Sequence, residues 1–315
     1  MMEDALTCQT AERLIEAATA APSIHNSQPW QFFARPADRV IEIYADPART
    51  MRSDPRGRAV HIACGSALFN LRLAIARAGH EPVTRLLPSP RDPLLLLASV
   101  RLAGLYRARP AERDLYATIR LIGRGPLTRH PPRGVLVTLK EAAAVEGASL
   151  CELGHADELW ILRGCAAAGV YPHQSAAKRV IGRLLPTRDF SSRPGGRPAS
   201  PAGAPGPRLA VVSTSADDRA SWLRAGQAAQ RVLLLATHHG VQATLLSPAL
   251  EVPGAPAHGD TVLAGEHPAV ILQFGTGHIR PATGRRPAAE VLRVRSPGSV
   301  QRAAAPGRQK VTAGR

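Results

Sequence analysis

The chain has 315 residues, of which 44% are hydrophobic, and this is enough material for one large domain or two medium-sized ones. The formal net charge of +16 comes almost entirely from arginine, because lysine occurs at only three positions. The arginines are spread along the chain, without interleaved aromatic residues or a nucleic-acid-binding motif. Composition therefore favours the amino-acid usage of a GC-rich genome over a nucleic-acid-binding protein.

The four cysteines form no C-x-x-C pair and no zinc-binding spacing, which predicts reduced thiols and no metal site. The N-terminus is acidic and lacks the apolar segment of a signal peptide. The longest apolar run, residues 93–98, is too short to cross a membrane. We therefore expect a cytoplasmic protein without a membrane segment.

Apolar residues that recur at helical or strand spacing define the predicted elements. In the first half these are helix 9–21, strand 40–44, helix 58–79, strands 83–88 and 94–102, helix 111–122 and a helix-like segment at 135–150. In the second half they are strand 208–213, helix 222–237 and strand 267–275. Gly65, in the middle of its helix, predicts close packing against another helix or a cofactor, and Gln227 and Gln230 are predicted to be solvated or interhelical.

Residues 21–33 contain a loop that is unusually rich in short hydrogen-bonding side chains. Prolines at positions 22 and 29 stiffen it, and Ser23, His25, Asn26, Ser27 and Gln28 lie between them. Such a loop suits the binding of a flat polar heterocycle. The alternative is that these residues only shape a cap or turn while the following tryptophan fills the core.

The run Ser23-Ile-His25-Asn26-Ser-Gln28-Pro29-Trp30 resembles the P-S-x-x-N-x-Q-P-W signature of FMN-dependent nitroreductases. The histidine before the asparagine resembles one branch of them, the Acg-like NAD(P)H nitroreductases of actinobacteria. A second match is W-L-R-A-G-Q-A-x-Q-R-V-L-L-x-A-T at residues 222–237. The segment Thr283-Gly-Arg285-Arg286-Pro287 resembles the T-P-R-R-P ending of the same family.

The resemblance implies an α+β, nitroreductase-like fold with two fused halves, each a sheet flanked by helices. Its implied divisions are an N-terminal half at 1–150, a shortened linker or lid region at 151–207, a C-terminal half at 208–294 and a disordered tail at 295–315. One chain would then mimic the dimer of ordinary nitroreductases, or form a homodimer. No internal repeat is evident in the sequence.

The resemblance also implies FMN as the cofactor and NAD(P)H as the hydride donor. The candidate FMN-binding residues are Ser23, His25, Asn26 and Gln28 for the ring or ribityl chain, Arg285 and Arg286 for the phosphate, and Arg58 for either. The arginine pair could also be a solvated basic turn. No catalytic side chain and no metal are expected, because the flavin itself carries the reaction.

The predicted function is transfer of two electrons from NAD(P)H through FMN to a small-molecule nitro or quinone acceptor. An alternative is a non-catalytic protein that binds and sequesters FMN. A third interpretation, an arginine-rich nucleic-acid binder, predicts salt-dependent retention of DNA without a bound flavin. No nucleic-acid or membrane partner is expected.

Overall fold

The computed structural model describes residues 6–51, 54–89, 96–122, 127–129, 131–153, 208–246, 266–277 and 284–295. The predicted linker or lid region lies outside the described residues, apart from residues 151–153. The predicted tail after residue 295 also lies outside them.

The described residues combine helices with two sheets, and this confirms the predicted α+β class. The helices are α1 (Cys8–Thr19), α2 (Arg58–Arg77), α3 (Pro110–Thr118), α4 (Arg133–Val145), α5 (Arg219–His238) and α6 (Ala288–Val291). The strands are β1 (Trp30–Arg35), β2 (Val40–Ala45), β3 (His80–Leu86), β4 (Leu96–Leu105), β5 (Leu127–Arg129), β6 (Ser149–Glu152), β7 (Arg208–Thr214), β8 (Gln242–Leu246), β9 (His267–Gly277) and β10 (Leu292–Val294).

One segment that was predicted to be helical contains a strand in the structure. Residues 135–150 were expected to be helix-like throughout, but α4 ends at Val145 and β6 begins at Ser149. The physical cause is Gly147, whose φ of 75° lies in the left-handed region that glycine adopts without strain and that ends helices.

The first sheet has the strand order β10-β1-β2-β4-β3. The pairs β1–β2, β2–β4 and β4–β3 are antiparallel, whereas β10 lies parallel to β1 with Leu292 opposite Phe32. β1 begins directly after the polar loop, and β10 follows closely after the arginine pair. Pairing of these two strands therefore brings both candidate segments to the same edge of the sheet.

The second sheet contains β5, β9, β7 and β6 in that order, and β8 also pairs with β9. The order β6-β7-β9-β8 repeats the order β1-β2-β4-β3, and all of these pairs are antiparallel. In each set the long helix, α2 or α5, lies in the chain between the second and the third strand. This correspondence supports two related halves, whose boundaries stay a prediction.

The long helices α2 and α5 cross at a pair of glycines, Gly65 and Gly226. A Cβ atom added to Gly65 would lie 2.2 Å from the backbone oxygen of Leu223, and one added to Gly226 would lie 2.1 Å from that of Ile62. Only glycine permits this approach of the two backbones. The predicted packing role of Gly65 is confirmed, and its neighbour is α5.

Buried polar side chains join the helices near this crossing. The amide Nε2 of Gln230 donates to Oδ1 of Asn70 at 2.8 Å, and Nδ2 of Asn70 donates to the backbone oxygen of Ala17 in α1 at 3.0 Å. Asn70 and Gln230 are both fully buried. Gln230 is therefore interhelical, one of the two roles predicted for it.

By length and composition, α2 is apolar enough to cross a membrane, but 94% of the corresponding window is buried inside the protein. Most of its buried apolar residues lie in the main hydrophobic core with Trp30 and Phe32 of β1, and Ile62 lies in a second core with residues of α5. This degree of burial is typical of a helix in the core of a protein.

His61 of α2 is a buried titratable group beside the helix crossing. It is 4% exposed, its Nδ1 lies 2.6 Å from the backbone oxygen of Gly57, and its Nε2 has no hydrogen-bond partner. Burial lowers the pKa of His61, and the positive charge of Arg219 lowers it further. The hydrogen bond with Gly57 acts in the opposite direction.

The lowered pKa of His61 predicts a loss of stability in mild acid. Since the folded pKa lies below the unfolded value of about 6.5, this contribution to stability is present above that pH and is lost as the unfolded chain takes up the proton. We expect the free energy of unfolding in urea to decline from pH 7.5 to pH 5.5, and less steeply in His61→Gln. An equally steep decline in the variant would contradict this assignment.

Candidate functional site

The polar loop between α1 and β1 has an unusual backbone. Residues Ile24–Asn26 form a short 3₁₀ turn, and three non-glycine residues have positive φ: His25 at 50°, Asn26 at 56° and Gln28 at 48°. Such conformations cost roughly 1 kcal/mol or more each and persist where the surroundings hold them, often at binding sites. Ser23 holds the loop from inside, since its backbone oxygen accepts from the Asn26 N–H at 3.0 Å and its Oγ from the Gln28 N–H at 2.9 Å.

The segment that carries the arginine pair docks directly on this loop. Asn26 Nδ2 donates to the backbone oxygen of Gly284 at 3.0 Å, and Arg285 Nη1 donates to Asn26 Oδ1 at 3.1 Å. The backbone N–H of Arg286 donates to Gln28 Oε1 at 2.7 Å. Two segments 258 positions apart in the chain therefore form one cluster.

The two arginines leave this docking point in different directions. Arg285 donates through Nε and Nη2 to the backbone oxygen of Ala20, at the carboxyl end of α1. Arg286 is largely buried, and its Nε lies 3.4 Å from Glu290. Its Nη1 has no hydrogen-bond partner and lies 3.6 Å from Oδ2 of Asp46, which exceeds hydrogen-bonding distance.

Sequence reasoning missed two members of this cluster, Asp46 and Arg49. Asp46 is 5% exposed, and its backbone N–H donates to the oxygen of Pro29 at 3.0 Å, which places it beside the loop. Arg49 donates through Nη1 to the backbone oxygen of Ser27 at 3.1 Å. A hairpin of the predicted strand 40–44 with the strand after the loop would have indicated this proximity.

The other predicted residues lie apart from these contacts or at their margin. His25 is exposed at the tip of the loop, and Trp30 is fully buried in the core. The side chain of Arg58, at the start of α2, donates to the backbone oxygen of Pro268 in β9. Arg58 therefore contacts a different group of residues from the arginine pair.

The cluster has the charge and the donors to bind an anionic group such as a phosphate. Within the described residues the cluster holds three guanidinium groups, those of Arg49, Arg285 and Arg286, against two carboxylates, the buried Asp46 and the exposed Glu290. Asp46 lies 3.8 Å from Arg49 and 3.6 Å from Arg286, and Glu290 lies 3.4 Å from Arg286, so positive charge is in excess. The unpartnered Nη1 of Arg286 is a donor without an acceptor. Guanidinium groups bind phosphate oxygens through paired, charge-assisted hydrogen bonds. The amides of Asn26 and Gln28, by contrast, are engaged with residues 284–286.

Among the described residues, no group of three or more His, Cys, Asp or Glu side chains has the arrangement of a metal site. The fold and the basic cluster together define an α+β protein with a loop-built site that suits an anionic ligand.

Comparison with known proteins gives a more particular assignment, although no protein-family model matches the chain. A Mycobacterium tuberculosis protein named "Putative NAD(P)H nitroreductase Rv3131" is 28% identical over 320 residues, which cover 90% of this chain and 91% of that protein. Another, named "Putative NAD(P)H nitroreductase acg", is 27% identical over 337 residues, which cover 94% and 99%. These similarities confirm the resemblance to Acg-like nitroreductases and favour an oxidoreductase.

Two solved structures resemble the chain weakly. A nitroreductase-like family protein from Bacillus cereus covers 55% of this chain and 92% of its own, with 17% identity and a TM-score of 0.38. A structure from Anabaena variabilis, named a "putative nitroreductase", covers 86% of this chain and 88% of its own, with 10% identity and a TM-score of 0.40.

Proposed function

We propose that this chain is an FMN-dependent oxidoreductase that takes a hydride from NAD(P)H and passes two electrons to a small nitro or quinone compound. Similarity to proteins named as NAD(P)H nitroreductases over 90% or more of the chain supports the class. The observation that carries the flavin assignment is the docking of Arg285 and Arg286 on Asn26 and Gln28.

In this proposal the chain binds and orients the cofactor. FMN supplies the two-electron chemistry, so no acid, base or nucleophile of the protein is required. Arg285 and Arg286 hold the phosphate. Ser23 sets the backbone of the loop that faces the flavin, and Asn26 and Gln28 fix the arginine segment through the side chain of Arg285 and the N–H of Arg286.

The two halves differ at the position of this loop. In the first half, ten residues, 20–29, connect α1 to β1, whereas in the second half three residues, 146–148, connect α4 to β6. Three residues are too few to carry a counterpart of the loop. We therefore expect one FMN per chain rather than two.

The purified protein should show the paired visible absorption bands of a flavin, and FMN released by denaturation should approach a ratio of one per chain. Under anaerobic conditions, addition of NADPH or NADH should bleach these bands within the time of a turnover. Bleaching by dithionite but by neither nicotinamide would favour the alternative, a protein that sequesters FMN. A colourless protein that also fails to bind added FMN would overturn the proposal.

A further inference from the structure

Arg49 lies at the cluster but has no role in the proposed function so far. It occupies the turn Pro47–Arg49 that follows β2, and its side chain is 39% exposed. Its Nη1 is fixed by the backbone oxygen of Ser27, inside the strained loop. The guanidinium is therefore held against the loop and is also open to a ligand.

The hydrogen-bonding capacity of Arg49 is only partly used. A guanidinium has five N–H donors, and a single hydrogen bond of Arg49 is formed within the described part of the chain. Its Nε lies 3.8 Å from Oδ2 of Asp46, too far for a hydrogen bond. Arg49 thus has N–H groups available to bind a ligand, and Nη1 of Arg286 likewise has no hydrogen-bond partner.

Asp46 lies close to the guanidinium groups of Arg49 and Arg286 but accepts a hydrogen bond from neither. Its Oδ1 accepts from the backbone N–H of Ala48 at 3.1 Å, and this fixes the carboxylate. Its Oδ2 lies 3.8 Å from Arg49 and 3.6 Å from Arg286. Together with Arg285, the described cluster has three guanidinium groups against two carboxylates, Asp46 and the exposed Glu290, and this net positive charge favours a phosphate group.

We propose that Arg49 is a third phosphate-binding residue, which acts with Arg285 and Arg286 on the phosphate monoester of the flavin. This inference rests on the proposed function. It adds a residue from the 3₁₀ turn after β2, so the phosphate would be held by two segments, the turn Pro47–Arg49 and the segment at 284–286, both of which contact the loop at 23–28.

The test compares FMN with riboflavin, which has the same ring and ribityl chain but no phosphate. In Arg49→Gln we expect the dissociation constant for FMN to rise about tenfold, since one charge-assisted hydrogen-bonding group is lost, while that for riboflavin stays unchanged. Arg49→Lys retains the charge but not the planar fork, so its effect should be intermediate. The FMN affinity of Arg49→Gln should also depend less on salt.

Arg113→Gln is the matched control, because Arg113 is an exposed arginine of α3 and the substitution removes the same charge. It should leave both dissociation constants unchanged. Equal weakening of FMN and riboflavin by Arg49→Gln would mean that Arg49 only shapes the loop, and this would overturn the inference. No weakening of FMN binding would overturn it as well. If the unmodified protein bound neither flavin, the proposed function would fail, and the inference with it.

Discussion

Replacement of Gly65 by alanine should lower the free energy of unfolding by about 3 kcal/mol, at the upper end of the range for overpacking a core. The added Cβ would lie 2.2 Å from the backbone oxygen of Leu223 and 3.1 Å from the Cα of Gly226. Both are backbone atoms, which cannot move aside as a flexible side chain can. The two long helices would have to separate, and the core on both sides would loosen.

The measurement is urea unfolding followed by circular dichroism, with Gly134→Ala as the control. Gly134 lies in α4, and a Cβ added there would meet nothing within 4 Å. Alanine is a better helix former than glycine, so this control should be neutral or slightly stabilising. Equal stability of the two variants would show that the helices do not approach as closely as described.

Replacement of Glu146 by glutamine should cost about 2 kcal/mol, because it removes the only carboxylate that the described residues place between Arg72 and Arg231. Oε2 of Glu146 accepts from Arg72 at 2.6 Å, and Oε1 accepts from Arg231 at 2.9 Å. The Glu146 side chain is 6% exposed, whereas the arginines are 30% and 25% exposed. Water reaches the arginines in part, so the cost stays below that of a fully buried broken pair.

Glu141→Gln provides the comparison for this second substitution, because Glu141 is exposed on α4, the helix that ends just before Glu146, and loses the same charge. Its free energy of unfolding should change by less than about 0.5 kcal/mol. The measurement is again urea unfolding, at low and at high salt. A loss in Glu146→Gln that vanished at high salt would indicate a solvated surface pair instead of a buried one.

Local sequence patterns predicted the helices and strands better than they predicted which of them pack against each other. The helical spacing of Val60, Cys64, Leu68, Leu71 and Ile75 predicted helix 58–79, and α2 ends at Arg77, two residues before Gly79, whose φ is 91°. Periodicity is a property of neighbouring residues, so it is readable from sequence. The crossing with α5 depends on a glycine 161 positions away, and no local pattern contains that information.

The candidate site was only partly predictable for the same reason. The resemblance brought Ser23, Asn26, Gln28 and the arginine pair into one hypothesis, and the structure places their segments in contact. That Gln28 binds a backbone N–H was not readable, because the donor belongs to a segment 258 positions away. No role was predicted for Asp46 or Arg49, since their place beside the loop depends on the pairing of β1 with β2.

The parallel pairing of β10 with β1 has a consequence for the order in which the protein is made. A ribosome releases β1 early, but the strand that covers its free edge is released some 260 residues later. Until then the nascent chain carries an unpaired edge of β1 and a strained loop that lacks its contacts with residues 284–286. The first sheet and the candidate flavin site therefore mature together, as a late event of synthesis.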